Sequence, residues 1–327
     1  MTNNRIDLAR AAELLRDARH IAVFTHENPD GDAIGSAAGM TAVLNAAGRR
    51  AELFLSAMPP KTYRQFAGND YRTELSQEEL AGFDLVLQLD TATEKRIAAP
   101  IGVKIDNTLP LLVVDHHPDN TEYGRWNLVM KSAATSVIAL EIAEKLIDRI
   151  PETAATLFLL GIVTDSGGFR FDNTDPACLR AAAGLIERNA DYRGIIDAVF
   201  FTRSLDRLKF EAELLSDCLD LRCDGKLAIV NIPPALIAKY HIDMASTEGL
   251  VDVFRSIEGV ETVAMLYYRK VGLLKVSLRA RNPRRPVGPI ARALGGGGHE
   301  MAAGCLIENG NPVSAAKTIT DLFEGTL

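Results

Sequence analysis

The sequence predicts an α/β protein whose N-terminal domain holds a mostly parallel sheet, with a smaller α/β domain following it across a cleft. Three observations carry that expectation. The runs 21–24, 83–89 and 109–114 are apolar almost throughout instead of alternating, the pattern of strands buried on both faces. Segments with helical spacing separate them, as the crossovers of a parallel sheet require. At 327 residues the chain is long enough for two cores.

Taken in order, residues 6–19 repeat apolar side chains at helical spacing (Ile6, Leu8, Ala11, Ala12, Leu14, Leu15, Ala18) and predict a first helix. The strand at 21–24 runs into His26-Glu27-Asn28-Pro29-Asp30-Gly31-Asp32. Beyond it, 32–47 is rich in alanine and closes at Gly48, as a helix does. Residues 51–55 predict a second strand stopped by Pro59-Pro60, and 61–82 predict a loop with a helix. The strand at 83–89 delivers Asp90, and the one at 109–114 delivers Asp115-His116-His117. A helix opened by Ser132 is expected over 133–147, and an apolar helix over 153–163 delivers Thr164-Asp165. After a helix at 177–187, a helical connector over 196–213 separates a domain of residues 1–195 from one of 214–327. The second domain is expected to hold strands at 226–232, 262–269 and 272–278, and helices at 234–239, 250–256 and 313–323.

Composition narrows the function classes. Apolar residues make up 47% and charged ones 24%, ordinary for a soluble globular protein. No apolar run approaches a membrane span, and the N-terminus lacks the apolar core of a signal peptide, so a cytoplasmic protein without membrane partners is expected. Its four cysteines form no Cys-x-x-Cys pair and suit a reducing compartment. A net charge of −7 argues against a broad nonspecific nucleic-acid surface. Between Glu261 and Glu300, however, there is no acidic residue, while Arg269, Lys270, Lys275, Arg279, Arg281, Arg284, Arg285 and Arg292 are all basic. An acidic body with one basic strip points to a defined anionic ligand.

His26, Asp30, Asp32, Asp90 and the triplet 115–117 all follow predicted strands, and Asp165 follows an apolar helix. Open parallel sheets bind ligands beyond the carboxyl ends of their strands, so these residues are expected to converge. Pro29 fixes one backbone angle and Gly31 permits an unusual one, freeing Asp30 and Asp32 to face the same way; the plainer alternative is that either aspartate only caps the helix that follows. Gathered carboxylates repel and take up protons unless cations hold them. Asp30, Asp32, Asp90 and Asp165 balance two divalent cations, with one carboxylate bridging. Oxygen ligands with two histidines favour Mn²⁺, with Mg²⁺, Co²⁺ or Zn²⁺ as substitutes. Paired metals of this kind serve phosphoryl transfer.

Asp115-His116-His117 after an apolar strand, with His-x-Asn-Pro-Asp-Gly-Asp upstream, resembles the DHH phosphoesterase superfamily. The resemblance extends through Asp90 and Gly161-Ile162-Val163-Thr164-Asp165 to Gly295-Gly296-Gly297-Gly298-His299-Glu300-Met301-Ala302-Ala303-Gly304, which is similar to the glycine motif of the DHH-associated domain. It implies that His26, Asp30 and Asp90 hold one metal and that Asp32, Asp90, His116 and Asp165 hold the other. It also implies that His117 faces the substrate phosphate and that Asp115 orients a neighbour; the plainer alternative for His117 is a histidine that only supports a ligand. Length and the lack of extra domains fit the branch acting on short oligoribonucleotides and 3′-phosphoadenosine-5′-phosphate. Short RNA or DNA oligonucleotides or adenine nucleotides are therefore the expected partners, and a homodimer stays open. Cyclic or linear diadenylate is an alternative substrate, and a nucleotide-binding regulator without catalysis is an alternative of another class.

In the second domain, the run Gly296, Gly297 and Gly298 beside His299 reads as a cradle for a nucleotide phosphate or base, because backbone amides can approach a ligand there. Arg279 and Arg281 alternate along a strand and offer guanidinium forks to phosphate. Arg284 and Arg285, flanked by Pro283 and Pro286, are open to two readings, contact with the ligand or, at least as well supported, mere solvation of a loop.

Overall fold

Six short strands form the first sheet: β1 (His20–Phe24), β2 (Arg50–Phe54), β3 (Tyr71–Arg72), β4 (Leu85–Leu89), β5 (Leu111–Asp115) and β6 (Trp126–Val129). Their order is β3-β2-β1-β4-β5-β6 and every neighbouring pair is parallel. In the computed structural model, which describes residues 4–100, 103–244, 249–298 and 300–325, this sheet belongs to the first of two units, Met1–Thr202 and Arg203–Leu327. Among the described residues eight α-helices accompany it: α1 (Leu8–Asp17), α2 (Gly31–Ala46), α3 (Lys61–Ala67), α4 (Gln77–Leu80), α5 (Thr135–Leu146), α6 (Glu152–Asp165), α7 (Pro176–Glu187) and α8 (Tyr192–Ile196).

The continuous apolar strands have a simple cause. Ile21 and Val23 of β1 point into a core shared with α1, α2, α5 and α6, while Ala22 and Phe24 point into a second core with Phe54, Phe83 and Val113. Both faces are covered, so neither register of side chains is left for polar residues. Among the described residues no helix is long and apolar enough to cross a membrane.

Helix α2 packs unusually close to α6. Gly31, Gly35 and Gly39 recur every fourth residue and so share one face of α2. A Cβ on Gly35 would lie 2.4 Å from the Leu157 carbonyl oxygen, and one on Gly39 would lie 2.6 Å from the Phe158 ring. The stripe draws the start of α2 against the end of α6, where Asp32 and Asp165 stand.

Two local expectations need correcting. The left-handed residue of the opening motif is Asn28 (φ 53), not Gly31. Gly31 starts α2, and its bare Cα is needed because a Cβ would sit 2.4 Å from the Thr164 side chain. Helix α5 begins at Thr135 rather than after Ser132, since its cap is not a neighbouring hydroxyl but the distant Asp32 carboxylate.

The second unit begins with α9 (Leu205–Glu213) and contains β7 (Leu219–Arg222), β8 (Leu227–Ile232), α10 (Pro234–Lys239), α11 (Leu250–Arg255), β9 (Thr262–Lys270), β10 (Leu273–Ala280), α12 (Gly288–Ala293), β11 (Gly297–Gly298), β12 (Ala302–Glu308) and α13 (Pro312–Glu324). The sheet order is β11-β12-β10-β9-β8-β7, antiparallel except between β8 and β9. Leu274, Val276, Leu278 and Ala280 bury one face of β10 against Ile290, Ile319 and Phe323. The opposite face of β8 and β9 packs on Phe210, Leu236, Leu250 and Phe254. On β10 that opposite side carries Lys275, Ser277 and Arg279, all half-buried.

Candidate metal centre

The order of the first sheet makes β1 and β4 neighbours whose connections leave in opposite directions, and the crevice beyond such a switch point is where open α/β sheets take ligands. Three elements end there with ligating side chains: β1 leads to His26 and Asp30, β4 to Asp90, and β5 to Asp115, His116 and His117. Helices α2 and α6 add Asp32 and Asp165 from the glycine-tightened contact.

Three groups of ligand atoms converge, each within 4.8 Å of one another: His26, Asp30 and Asp90; Asp32, His116 and Asp165; and Asp90, His116 and His117. The His26 Nε2 atom lies 3.8 Å from Asp30 Oδ2 and 3.7 Å from Asp90 Oδ2. The His116 Nε2 atom lies 3.7 Å from Asp90 Oδ1 and 3.6 Å from Asp165 Oδ2. These spacings are too long for hydrogen bonds. They are close to the roughly 3.0–3.5 Å between ligand atoms that each stand about 2.1 Å from one ion.

The imidazoles are held for that task. The His26 Nδ1 atom is 2.7 Å from the Glu27 carbonyl and the His116 Nδ1 atom 3.2 Å from the Ser132 carbonyl. A carbonyl only accepts, so each Nδ1 carries a proton and each Nε2 faces the carboxylates, where it can take a proton or, deprotonated, a cation. The donor set therefore fits divalent cations.

Caps and ligands are not alternatives here. Asp30 Oδ1 accepts the N–H groups of Asp32 (3.1 Å) and Ala33 (3.0 Å), capping α2, while its Oδ2 faces His26. Asp32 accepts the N–H groups of Thr135 (2.6 Å) and Ser136 (2.9 Å) at the start of α5. Both carboxylates are oriented by backbone before any ligand arrives. Asp90 is buried, and the Thr135 hydroxyl donates to its Oδ1 at 3.0 Å. Asp115 is buried as well: its Oδ1 accepts from His117 Nδ1 (2.8 Å) and the His116 N–H (2.9 Å), and its Oδ2 accepts from Asn120 Nδ2 (2.6 Å). Thr135, Ser136 and Asn120 carry no signal in sequence, because Ser136 acts through a backbone N–H at a helix start, Thr135 through its N–H and a common hydroxyl there, and Asn120 from a loop.

Crowding shows in the proton affinities. Burial, then repulsion from Asp32 and Asp30, pushes the Asp90 carboxyl up to about 7. Burial and the same neighbours lift Asp165 well above the usual carboxylate range, and burial also raises Asp32. Burial disfavours charge on His26 and His116, yet the carboxylates outweigh it and raise both. The metal-free centre thus holds protons where cations would sit.

The remaining candidates lie in the second unit. Arg279 is on the half-open side of β10, and its Nη1 donates to the Leu278 carbonyl at 3.0 Å. Gly297 and Gly298 form β11, paired with Gly304 and Ala303. Gly296 and Gly298 are required by packing: their Cβ atoms would lie 2.2 Å from the Gly304 carbonyl and 2.7 Å from the Ala302 carbonyl. Gly297 opens on free space. His299 lies outside the described residues. Arg281 falls beyond the end of β10 and is exposed, so it does not alternate with Arg279 along the strand. Arg285 does not merely solvate a loop; its Nε lies 2.9 Å from Glu261 Oε2 and its guanidinium stacks 4.6 Å from the Phe323 centroid.

A parallel sheet with Asp/His groups at its switch point that could hold metal ions, followed by a mixed-sheet unit, defines a two-unit protein of the α/β class. Residues 20–162 match the DHH family, N-terminal domain, and residues 225–326 match the DHHA1 domain; the chain belongs to the DHH family. It is similar to the bifunctional oligoribonuclease and PAP phosphatase NrnA of Thermus thermophilus, 32% identical over 88% of this chain and 84% of that protein. It is 27% identical to the protein of the same name from Bacillus subtilis, over 88% of this chain and 89% of that one. A crystal structure of an exopolyphosphatase-related protein from Bacteroides fragilis shares the fold, with a TM-score of 0.85 at 22% identity over 97% of this chain and 95% of that one.

Proposed function

We propose that this chain is a metal-dependent phosphoesterase hydrolysing short oligonucleotides and 3′-phosphoadenosine-5′-phosphate. One observation carries the chemistry: buried Asp90 turns Oδ2 toward His26 and Oδ1 toward His116, each 3.7 Å away, a placement that would let one carboxylate serve two ions. The names of the two bacterial relatives support the substrate class. His26, Asp30 and Asp90 would hold one divalent cation, and Asp32, Asp90, His116 and Asp165 the other, with Mn²⁺ the first expectation. When bound, such ions lower the pKa of an attacking water and neutralise charge developing on the phosphoryl group.

The chain's own groups do the rest. Thr135 fixes the rotamer of the shared carboxylate. His117 donates its Nδ1–H in a hydrogen bond to Asp115, which leaves Nε2 as the atom that can deliver a proton to the leaving oxygen. Burial works against its charged form, but the hydrogen bond and charge of Asp115 outweigh that and raise its pKa, so the acid form is favoured. Asp115 orients His117 and is itself oriented by Asn120. Arg279, the glycines 296–298 and His299 would contact the nucleotide away from the reacting phosphate.

The test is metal stripping followed by titration with Mn²⁺, Mg²⁺, Co²⁺ and Zn²⁺. Turnover is then compared among dinucleotides, longer oligomers, 3′-phosphoadenosine-5′-phosphate and cyclic diadenylate. Two ions per chain and preference for dinucleotides and the bisphosphate are expected. One ion per chain at full activity, or outright preference for cyclic diadenylate, would overturn this function.

A further inference from the structure

The turn after Asp165 has features the metal centre does not use. Gly167, Gly168 and Phe169 are consecutive left-handed residues (φ 59, 68 and 65), and Phe169 adopts that conformation without glycine's freedom. Aromatic rings pack directly on the two glycines: a Cβ on Gly167 would lie 2.4 Å from the Phe171 ring, and one on Gly168 would lie 3.1 Å from Phe200. The Ser166 carbonyl accepts the N–H groups of Arg170 (3.0 Å) and Phe171 (3.1 Å), and its hydroxyl accepts that of Phe169 (3.0 Å). Asn173 Nδ2 donates to the carbonyls of Asp165 (3.0 Å) and Ala133 (2.9 Å), tying the far end of the turn to its beginning. The result is a stiff bracket fastened to a metal-ligand candidate.

Arg170 stands on this bracket. Its Nε donates to the Gly167 carbonyl, and its guanidinium carbon lies 5.1 Å from the Phe200 centroid. The residue is exposed, and no carboxylate engages its terminal amino groups among the described residues. An arginine stacked on a ring and bonded through Nε holds its two Nη groups as a fixed outward fork, which suits two oxygens of one phosphate. Among the described residues, Arg170 is tied to unit one through Nε and the ring stack, not through that fork. An arginine serving only to cover Phe200 would be replaceable by any long apolar side chain.

We propose that Arg170 binds a non-reacting phosphate of a nucleotide whose other phosphate lies at the metal centre. This rests on the metal-dependent function proposed above and deepens it, because it makes two phosphates the recognised feature of the substrate. Arg170 belongs to none of the ligand groups, and it is anchored two residues beyond Asp165, beside the centre rather than in it.

The experiment uses the Mn²⁺-loaded full chain with 5′-phosphorylated diadenylate, 3′-phosphoadenosine-5′-phosphate and bis(p-nitrophenyl) phosphate, which carries only one phosphate. Arg170→Met keeps the apolar cover on Phe200 and removes the fork. It is expected to raise KM for the first two substrates roughly ten- to a hundredfold, the loss of charge-assisted hydrogen bonds, with metal content and the artificial diester unaffected. Arg170→Lys restores charge without the fork and should recover only part of the loss. Unchanged KM in Arg170→Met, or an equal loss on the artificial diester, overturns the assignment. Should the wild type hydrolyse none of the three, the proposed function itself fails; should it hydrolyse all three while Arg170→Met matches it, only the role of Arg170 does.

Discussion

The two units use glycine for different ends. In the first, Gly31, Gly35, Gly39 and Gly161 bring α2 and α6 together, and a Cβ on Gly161 would lie 2.0 Å from Ser136 Oγ and 2.6 Å from Asp32 Oδ1. In the second, Gly296, Gly298 and Gly304 let strands approach, and the atoms they make room for are backbone carbonyls of their own sheet. The glycine stripe of unit one therefore shapes the candidate site, although none of its members has a side chain to offer as a ligand. Most of the glycine run of unit two shapes a hairpin, although it has the look of a cradle. What a missing Cβ would strike separates the two cases; the residue type does not.

The sharpest break in this contrast comes from Asp90, the candidate shared ligand of unit one. Asp90→Asn should lose metal from both groups and reduce kcat on the order of 10³-fold or more, whereas Asp115→Asn should retain its ions. Equal metal content in the two variants, measured by elemental analysis, contradicts sharing. His117→Ala should lower kcat by roughly 10²–10⁴ at unchanged metal content. The loss should be least for a p-nitrophenyl ester, whose leaving group needs no proton, and a uniform loss would remove His117 from that role.

Acid should act on the same centre. Because Asp90 titrates at about 7 in the metal-free protein and His26 and His116 are also raised, protons compete with cations once the pH falls below about 7. Apparent Mn²⁺ affinity should therefore drop about tenfold per pH unit for each proton displaced. Calorimetric titrations at about pH 8 and about pH 6 that give the same affinity would refute the linkage. The smallest effects sharpen the glycine comparison. Gly161→Ala should cost about 1–3 kcal/mol of stability and weaken metal binding, because the added methyl displaces Ser136 and Asp32. Gly297→Ala should change stability by no more than about 0.5 kcal/mol, since it opens on space. A raised nucleotide KM at unaltered melting temperature would then mark Gly297 as a ligand contact.

Much of the centre was legible because each of β1, β4 and β5 is a largely apolar run with a candidate ligand at its end or within two residues beyond it. The sheet's edges were not. Strand β6 hides because it has four residues and contains Asn127, whose buried side chain closes a loop by bonding both N–H and C=O of Gly124. Strand β12 hides because Ala302, Ala303 and Gly304 read as part of a glycine motif, yet small residues are what fit beside β10. The spacing of Gly31, Gly35 and Gly39 is visible in the sequence, but it has no meaning until the partner helix is known. Arg285 sits between loop-forming residues, and only the tertiary fold brings Glu261 and Phe323 to it.

Asp90 has one further property with a consequence for descent. Its backbone is left-handed (φ 54) while its N–H still donates to the Val114 carbonyl at 3.1 Å. Among side chains, Asp and Asn tolerate that conformation best after glycine. Asp90→Glu keeps a carboxylate and forfeits the backbone fit; Asp90→Asn or Asp90→Gly keeps the fit and forfeits the charge. No single replacement preserves both, so a lineage drifting at this position meets no neutral neighbour and must pass through a chain without its shared carboxylate.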